Sequence, residues 1–305
     1  MSFKLTILGS SGAIPAYGRL PSSQLLEVQN RFFLIDCGEA AQMQLMKYQL
    51  PFHKIHEIFV SHLHGDHYLG LMGLLFSMHL QKRMTDLHLY SHRGLDEIIL
   101  LHLKYSSSSL NFKIIFHTLK PDTRELIFED DIITIETIPL RHKIHCLGFL
   151  FKEKQKPRKI SKEKLKPGMM LQHIAALKTG LDIFDDKGSL LYKNEEYTLS
   201  PKHSYSYAYC SDTSFQEEII EQIQGIDLLY HEATFMEEEK SKAKETYHST
   251  ALEAAHIARA AGVKKLLIGH FSARYRELDN LLQEAQSLFP DTELATEGKI
   301  IELEP

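Results

Sequence analysis

Cysteine is scarce in this chain: three residues in 305, at Cys37, Cys146 and Cys210. The number is odd and no CxxC spacing occurs, which argues against a disulfide framework and fits a reducing cytoplasm. Cys210 stands two residues before Asp212, but a small buried apolar role suits it better than ligation. Long apolar runs are missing too. None approaches the roughly 18 residues of a membrane span, and Met1 leads straight into strand-like residues 4–8 without a signal-peptide core. No membrane partner is expected. Neither sign of charge dominates, with 35 Lys and Arg against 40 Asp and Glu. At 43% hydrophobic and 25% charged residues, this is an ordinary globular composition.

Histidine is what the chain has in quantity, 18 in all. Ser61-His62-Leu63-His64-Gly65-Asp66-His67 sets three imidazoles and a carboxylate within six residues, directly after the apolar Ile58-Phe59-Val60. Side chains alternate faces in an extended segment, so His62 and His64 point the same way. Gly65 permits a sharp turn, after which Asp66 and His67 face a second point. One segment thus offers His/His to one cation and Asp/His to a neighbour, a donor set suited to Zn²⁺ and its first-row neighbours. Further donors stand just past other strand-like runs: His142 after 132–140, Asp212 after 205–210 and His270 after 265–268. Together these are seven side chains, about what two ions sharing one bridging carboxylate need.

Strands are expected at 3–8, 23–28, 31–35, 57–60, 86–90, 113–116, 125–140, 146–151, 204–210, 226–230, 264–268 and 299–303. Helices are expected at 40–48, 68–82, 93–106, 214–223, 249–261 and 275–287. Asn30 marks a hairpin turn, and Gly262 ends the Ala-rich helix. Many strands flanked by helices argue for two face-to-face sheets covered outside by helices.

The whole set resembles the metallo-β-lactamase superfamily and, more narrowly, the ribonuclease Z family, the endonucleases that mature the 3′ end of transfer RNA. HxHxDH alone would allow many hydrolases. Asp36-Cys37-Gly38-Glu39 with Gln42 and Gln44, His231-Glu232-Ala233-Thr234, His248-Ser249-Thr250 and Gly269-His270-Phe271-Ser272-Ala273-Arg274-Tyr275 narrow it. The resemblance runs from about residue 3 to 301. It implies an α/β fold, the four-layer αββα sandwich, with metals at the rim between the sheets. It implies His62, His64 and His142 on one divalent ion, Asp66, His67 and His270 on the other, and Asp212 bridging both. Zn²⁺ is the expected metal, and no nucleotide cofactor is implied. Asp66 is a candidate proton acceptor. His248, outside the ligand set, is the candidate general acid, oriented by Glu232; alone it would read as a helix-start histidine. Pro15 and Arg19 resemble a PxxxR loop lining the substrate 3′ end, and Arg274 is suited to grip a phosphate.

One segment departs from the pattern. Residues 152–166 carry eight Lys/Arg against Glu153 and Glu163, a net +6 in a chain whose net charge is −5. The stretch 152–200 therefore reads as a flexible arm inserted between a catalytic domain of residues 1–151 and 201–305. A solvated loop is the bland reading. Beside a nuclease core, a polyanion-gripping arm is favoured, with Lys152, Lys154, Lys156, Arg158 and Lys159 as substrate contacts. The family carries such an arm for the transfer RNA elbow, though this one lacks the longer Gly-Pro module. The reading is a cytoplasmic homodimer that cuts precursor transfer RNA 3′ of the discriminator nucleotide. It leaves a 3′-hydroxyl on the transfer RNA and a 5′-phosphate on the trailer. The alternatives are another phosphodiesterase or thioester hydrolase of the superfamily, or an RNA-binding scaffold that has lost catalysis.

Overall fold

The computed structural model describes residues 2–303. Two seven-stranded mixed sheets lie face to face. In the first, the spatial order is Ile300–Glu302, Phe3–Gly9, Ser23–Val28, Arg31–Cys37, Ile55–Phe59, Leu87–Ser91, Ile114–Thr118. In the second it is Thr292–Leu294, Lys265–Gly269, Leu228–Glu232, Ser206–Cys210, Cys146–Glu153, Ile133–Leu140, Leu126–Glu129. Each sheet joins an antiparallel meander to parallel strands, and the connections to the parallel strands carry the covering helices.

Alternation along the strands builds three apolar layers. Phe3, Phe33, Phe59, Phe149, Phe151, Tyr207, Tyr209 and Tyr230 point inward and fill the space between the sheets. The opposite faces pack on helices. Leu34 and Ile58 meet Leu71, Leu74 and Leu75 on one side, and Ala208 and Leu229 meet the alanines of Ala251–Ala261 on the other. That last helix opens with a capping box between Thr250 and Glu253 and closes on Gly262 at φ 61°. The αββα architecture read from the sequence is the one observed.

Three expected elements differ, each for a local reason. Residues 125–140 form a hairpin, because the Asp130 carboxylate accepts from the amides of Ile132 and Ile133 at 2.7 and 2.8 Å and turns the chain. Residues 68–82 break at Gly70, where a Cβ would lie 2.0 Å from the Gly38 carbonyl oxygen. At 214–223 only the 3₁₀ turn Glu217–Ile219 forms. Its apolar spacing is helical, but Ile219 and Ile223 are packed as a short turn before Gly225 reverses the chain.

The insertion carries secondary structure of its own. It holds two small ribbons, Lys159–Ile160 with Thr198–Leu199 and Ile183–Phe184 with Leu190–Tyr192, and the helix Leu171–Lys178. Leu177, Asn194, Tyr197 and Thr198 are buried within it. The expected boundary at 152 moves outward. The strand from Cys146 continues through Glu153, so Lys152 pairs with Thr134 and Ser206 inside the main sheet.

Candidate metal centre and active site

The seven donors named from the sequence arrive at one rim of the sandwich. His62 and His64 follow the strand Ile55–Phe59, and His67 lies in the short helix Gly65–Tyr68. His142 follows Ile133–Leu140, Asp212 follows Ser206–Cys210 and His270 follows Lys265–Gly269. The seven donors fall into two clusters, His62/His64/His142/Asp212 and Asp66/His67/Asp212/His270, and a third group of Glu232, His248 and His270 shares His270; in each, the donor atoms lie within 4.8 Å of one another. His64 Nδ1 lies 3.0 Å from His62 Nε2 and 3.1 Å from His142 Nε2. Asp212 serves both clusters with different oxygens. Its Oδ2 is 3.7 and 3.8 Å from His62 and His142, and its Oδ1 is 3.3 and 3.2 Å from His67 and His270. Asp66 Oδ2 completes the second cluster at 3.4 Å from both of those imidazoles.

The opposite ring nitrogens are held from behind. His67 Nδ1 donates to Asp36 at 2.7 Å, His142 Nδ1 to the Tyr247 carbonyl at 2.9 Å, and His270 Nδ1 meets Thr234 Oγ1 at 2.9 Å. Such outer partners fix ring orientation and basicity in metal sites. Asp36 also accepts from Ser61 N at 2.7 Å, Ser61 Oγ at 2.9 Å and the Tyr209 hydroxyl at 2.6 Å. It is fully buried, at φ 53°. The sequence reading quoted Asp36 within a motif but gave it no role. Its signal was a lone acid at the end of an apolar strand, where burial demands partners. Gly12 is needed here as well, because a Cβ on it would stand 2.7 Å from the His270 ring.

Burial and charge set the ionisation. Burial lowers His62 well below the ordinary imidazole range, reinforced by His67. Burial works against charge on His67, but Asp212 and Asp36 outweigh it and raise its pKa. Burial raises Asp212, yet His270, His67 and His62 hold it well below the usual carboxylate range. His67 Nε2 is buried with no hydrogen-bond partner and faces two carboxylates. An orphaned imidazole nitrogen, converging imidazoles and shared carboxylates fit divalent cations of the Zn²⁺ or Mn²⁺ type.

His248 sits beside this cluster without joining either four-donor set. Its Nδ1 is 2.8 Å from Glu232 Oε1, and its ring stacks on His270 at 5.3 Å. Glu232 is fully buried and also accepts from the Thr213 amide at 2.8 Å and the Thr234 hydroxyl. Burial pulls His248 down, but Glu232, aided by Asp212 and Asp66, pushes it up to about 9. A cleft of about 680 Å³ opens over His64, Asp66, His142, Asp212, His248 and His270.

The remaining candidates lie outside the His/Asp cluster. Pro15 is exposed in its loop. Arg19 is only 7% exposed and donates to the carbonyls of Tyr275 and Arg276, so it ties two loops together rather than projecting outward. Arg274 is exposed, pairs with Glu239 at 2.6 Å and lies over the Phe235 ring. Lys154 pairs with Glu129, Arg158 donates to Thr198, and Lys159 is exposed. Lys156 is ion-paired with buried Glu153. His231 is buried and donates to the Glu232 backbone carbonyl.

Two facing sheets with a His/Asp cluster at their shared rim define the metallo-β-lactamase class. Residues 196–271 match the family model described as beta-lactamase superfamily domain, and residues 3–160 match the model described as anti-Pycsar protein Apyc1. Relatives align over nearly the whole chain. The ribonuclease Z of Cytophaga hutchinsonii is 49% identical, covering 98% of this chain and 95% of that one. The ribonuclease Z of Bacteroides fragilis is 44% identical, covering 99% of each. The solved structure of human tRNase Z, short form, is 27% identical with a TM-score of 0.72, covering 98% of each chain. The chain belongs to the ribonuclease Z family.

Proposed function

We propose that this protein is a metal-dependent endoribonuclease that cuts precursor transfer RNA 3′ of the discriminator nucleotide. The transfer RNA keeps a 3′-hydroxyl and the trailer a 5′-phosphate. The observation that carries the reading is the Glu232–His248 pair beside the His/Asp cluster. His62, His64, His142 and Asp212 would hold one divalent ion, and Asp66, His67, Asp212 and His270 the other, two in all and Zn²⁺ by donor type. When bound, these ions supply charge neutralisation on the phosphate and a lowered pKa for water. His248 protonates the departing 3′ oxygen. A pKa of about 9 keeps it an imidazolium at neutral pH, and Glu232 holds Nδ1 so that Nε2 is left for the substrate. Asp66 is the weaker candidate for a proton acceptor. Burial raises its pKa, but His67 and His270 hold it well below the usual carboxylate range, which makes it a poor base.

Arg19 supports the substrate end of the cleft by fixing the loop of Pro15, and Arg274 is offered as a phosphate contact. The lysine-rich insertion is offered as the arm that grips the transfer RNA body, through backbone charge and helix shape rather than base sequence. Exposed apolar residues on the helices of the first sheet, among them Met43 and Leu80, support a homodimer. Three free buried cysteines suit a reducing cytoplasm. No described helix is long and apolar enough to cross a membrane. Other alkyl phosphodiesters also expel an alkoxide that needs a proton, so it is the full-length similarity to ribonuclease Z that favours transfer RNA over them. The test is cleavage of precursor transfer RNA by metal-loaded protein, with the ends mapped. Hydrolysis of small phosphodiesters without cleavage at the discriminator would overturn the assignment.

A further inference from the structure

Glu153 is 7% exposed, and its carboxylate gathers three donors from three parts of the chain. Oε2 accepts from Lys156 Nζ at 2.6 Å and from the Tyr205 amide at 2.9 Å. Oε1 accepts from Gln29 Nε2 at 2.7 Å. Lys156 Nζ also donates to the His203 carbonyl at 2.9 Å and lies over the Tyr205 ring at 5.1 Å. Residues 153–156 are the outgoing root of the insertion and 203–205 the returning one. Gln29 belongs to the opposite sheet, at the tip of the hairpin joining Ser23–Val28 to Arg31–Cys37, where Gln29 and Asn30 both take positive φ. One buried carboxylate therefore joins both roots of the arm to the two sheets of the body.

The junction lies where the backbone offers little else. The body's backbone bonds end with the Glu153 amide to the Tyr205 carbonyl and the Lys154 amide to the Ile132 carbonyl, and the first strand pair of the arm is Lys159 with Leu199. Residues 154–158 and 200–205 have no regular structure between those points. Roots without regular strand pairing, held by side-chain contacts such as Ser204 Oγ to the Lys154 carbonyl at 2.9 Å, form a hinge, and an arm free to swing there would lose orientational freedom on meeting RNA. Charge-assisted bonds to a buried carboxylate are strong enough to hold such a joint. The same geometry removes Lys156 from the RNA-contacting set. Its side chain is 10% exposed, and its ammonium is shared between Glu153 and a carbonyl.

We propose that Glu153, with Lys156, is the positioning residue that fixes the direction of the inserted arm for transfer RNA. The proposal rests on the reading of the insertion as an RNA-gripping arm. In full-length, metal-loaded protein, Glu153→Gln should raise KM for precursor transfer RNA about tenfold, the worth of freezing one or two mobile groups. kcat should hold, and so should turnover of bis(p-nitrophenyl) phosphate. Amide hydrogen exchange should quicken at 154–158 and 200–205 and stay unchanged in the strands of both sheets. The salt slope of transfer RNA binding should also persist, since the exposed cations of the arm remain. Faster exchange at the roots with an unchanged KM overturns the proposal. So does an equal loss on both substrates, which would mark Glu153 as merely structural. A second variant separates the two readings, with 155–203 replaced by a Gly/Ser linker. If the linker raises KM and Glu153→Gln does not, the joint alone is wrong. If the linker leaves KM unchanged, the arm reading fails and takes the proposal with it.

Discussion

The strand Cys146–Glu153 runs from the metal-binding rim to the root of the arm, about 25 Å away, and the two ends bury their carboxylates differently. At the rim, Asp212 faces four imidazoles and Asp66 two, and His67 Nε2 finds no hydrogen-bond partner. At the far end, Glu153 takes Lys156, Gln29 and an amide. Asp227 nearby takes Lys264, His203 and Ser206. The far end is saturated by the chain's own cations and donors, so it holds a shape. The rim gathers converging nitrogens and oxygens, a donor set suited to a divalent cation, so it holds chemistry. Both ends obey one rule, that a buried charge must be compensated. They differ in whether the compensating charge is built in.

The sharpest way to break this contrast is at Asp212. Asp212→Ala removes the side chain shared by both clusters, so bound metal and cleavage should be lost together. Elemental analysis still finding two metals per chain would refute the shared role. Next in size is His248→Ala, which should keep both metals and lose roughly 10²–10⁴-fold in transfer RNA cleavage, the usual worth of a general acid. A p-nitrophenyl phosphodiester needs little leaving-group protonation and should be spared. Equal loss on both substrates would count against the acid role.

Smaller again is the effect of replacing 155–203 with a Gly/Ser linker. Each lost phosphate contact should flatten the logarithmic salt slope of transfer RNA binding by about 0.7–0.9, measured by titration across salt concentrations. Small-substrate turnover should stay the same, because every rim donor lies outside that segment. Turnover collapsing at unchanged affinity would make the arm part of the catalytic core.

The finest test is a titration. In metal-free protein, His248 should remain protonated until about pH 9. Burial opposes that charge and Glu232 is its chief support, so Glu232→Gln should lower the value. NMR of the imidazole reads this directly. A raised folded-state value stabilises the fold fully below about pH 6.5 and is lost as pH rises through 9. The melting-temperature gap between the parent and Glu232→Gln should therefore close over that window.

Most of the layered fold was legible because strand alternation and helix stops are local. The rim was legible for a related reason: each donor stands just past a strand, and strand ends in layered folds converge. What escaped was local chemistry that imitates something else. Asp130 and Gly70 split elements whose apolar pattern runs straight through, and residues 214–223 carry a helical spacing that closes as a turn.

By itself the sequence picked out the seven His and Asp side chains that converge at the rim. His62, His64, Asp66 and His67 are placed relative to one another by a strand, a glycine and a turn, and such short-range geometry is written in spacing. It also determined the αββα layering, through the periodicity of its apolar residues. Only the tertiary structure decided which charges are free to act. Lys156 reads as one cation in a run of eight, yet it is bound to Glu153 and His203. Arg19 reads as a substrate contact, yet it is buried against two carbonyls. Asp36 becomes the buried support of His67 only when Tyr209, 173 residues away in the chain, closes over it. A side chain's type is local, but its partners are set by packing between segments far apart in sequence, and it is the partners that decide whether a charge binds, catalyses or merely holds.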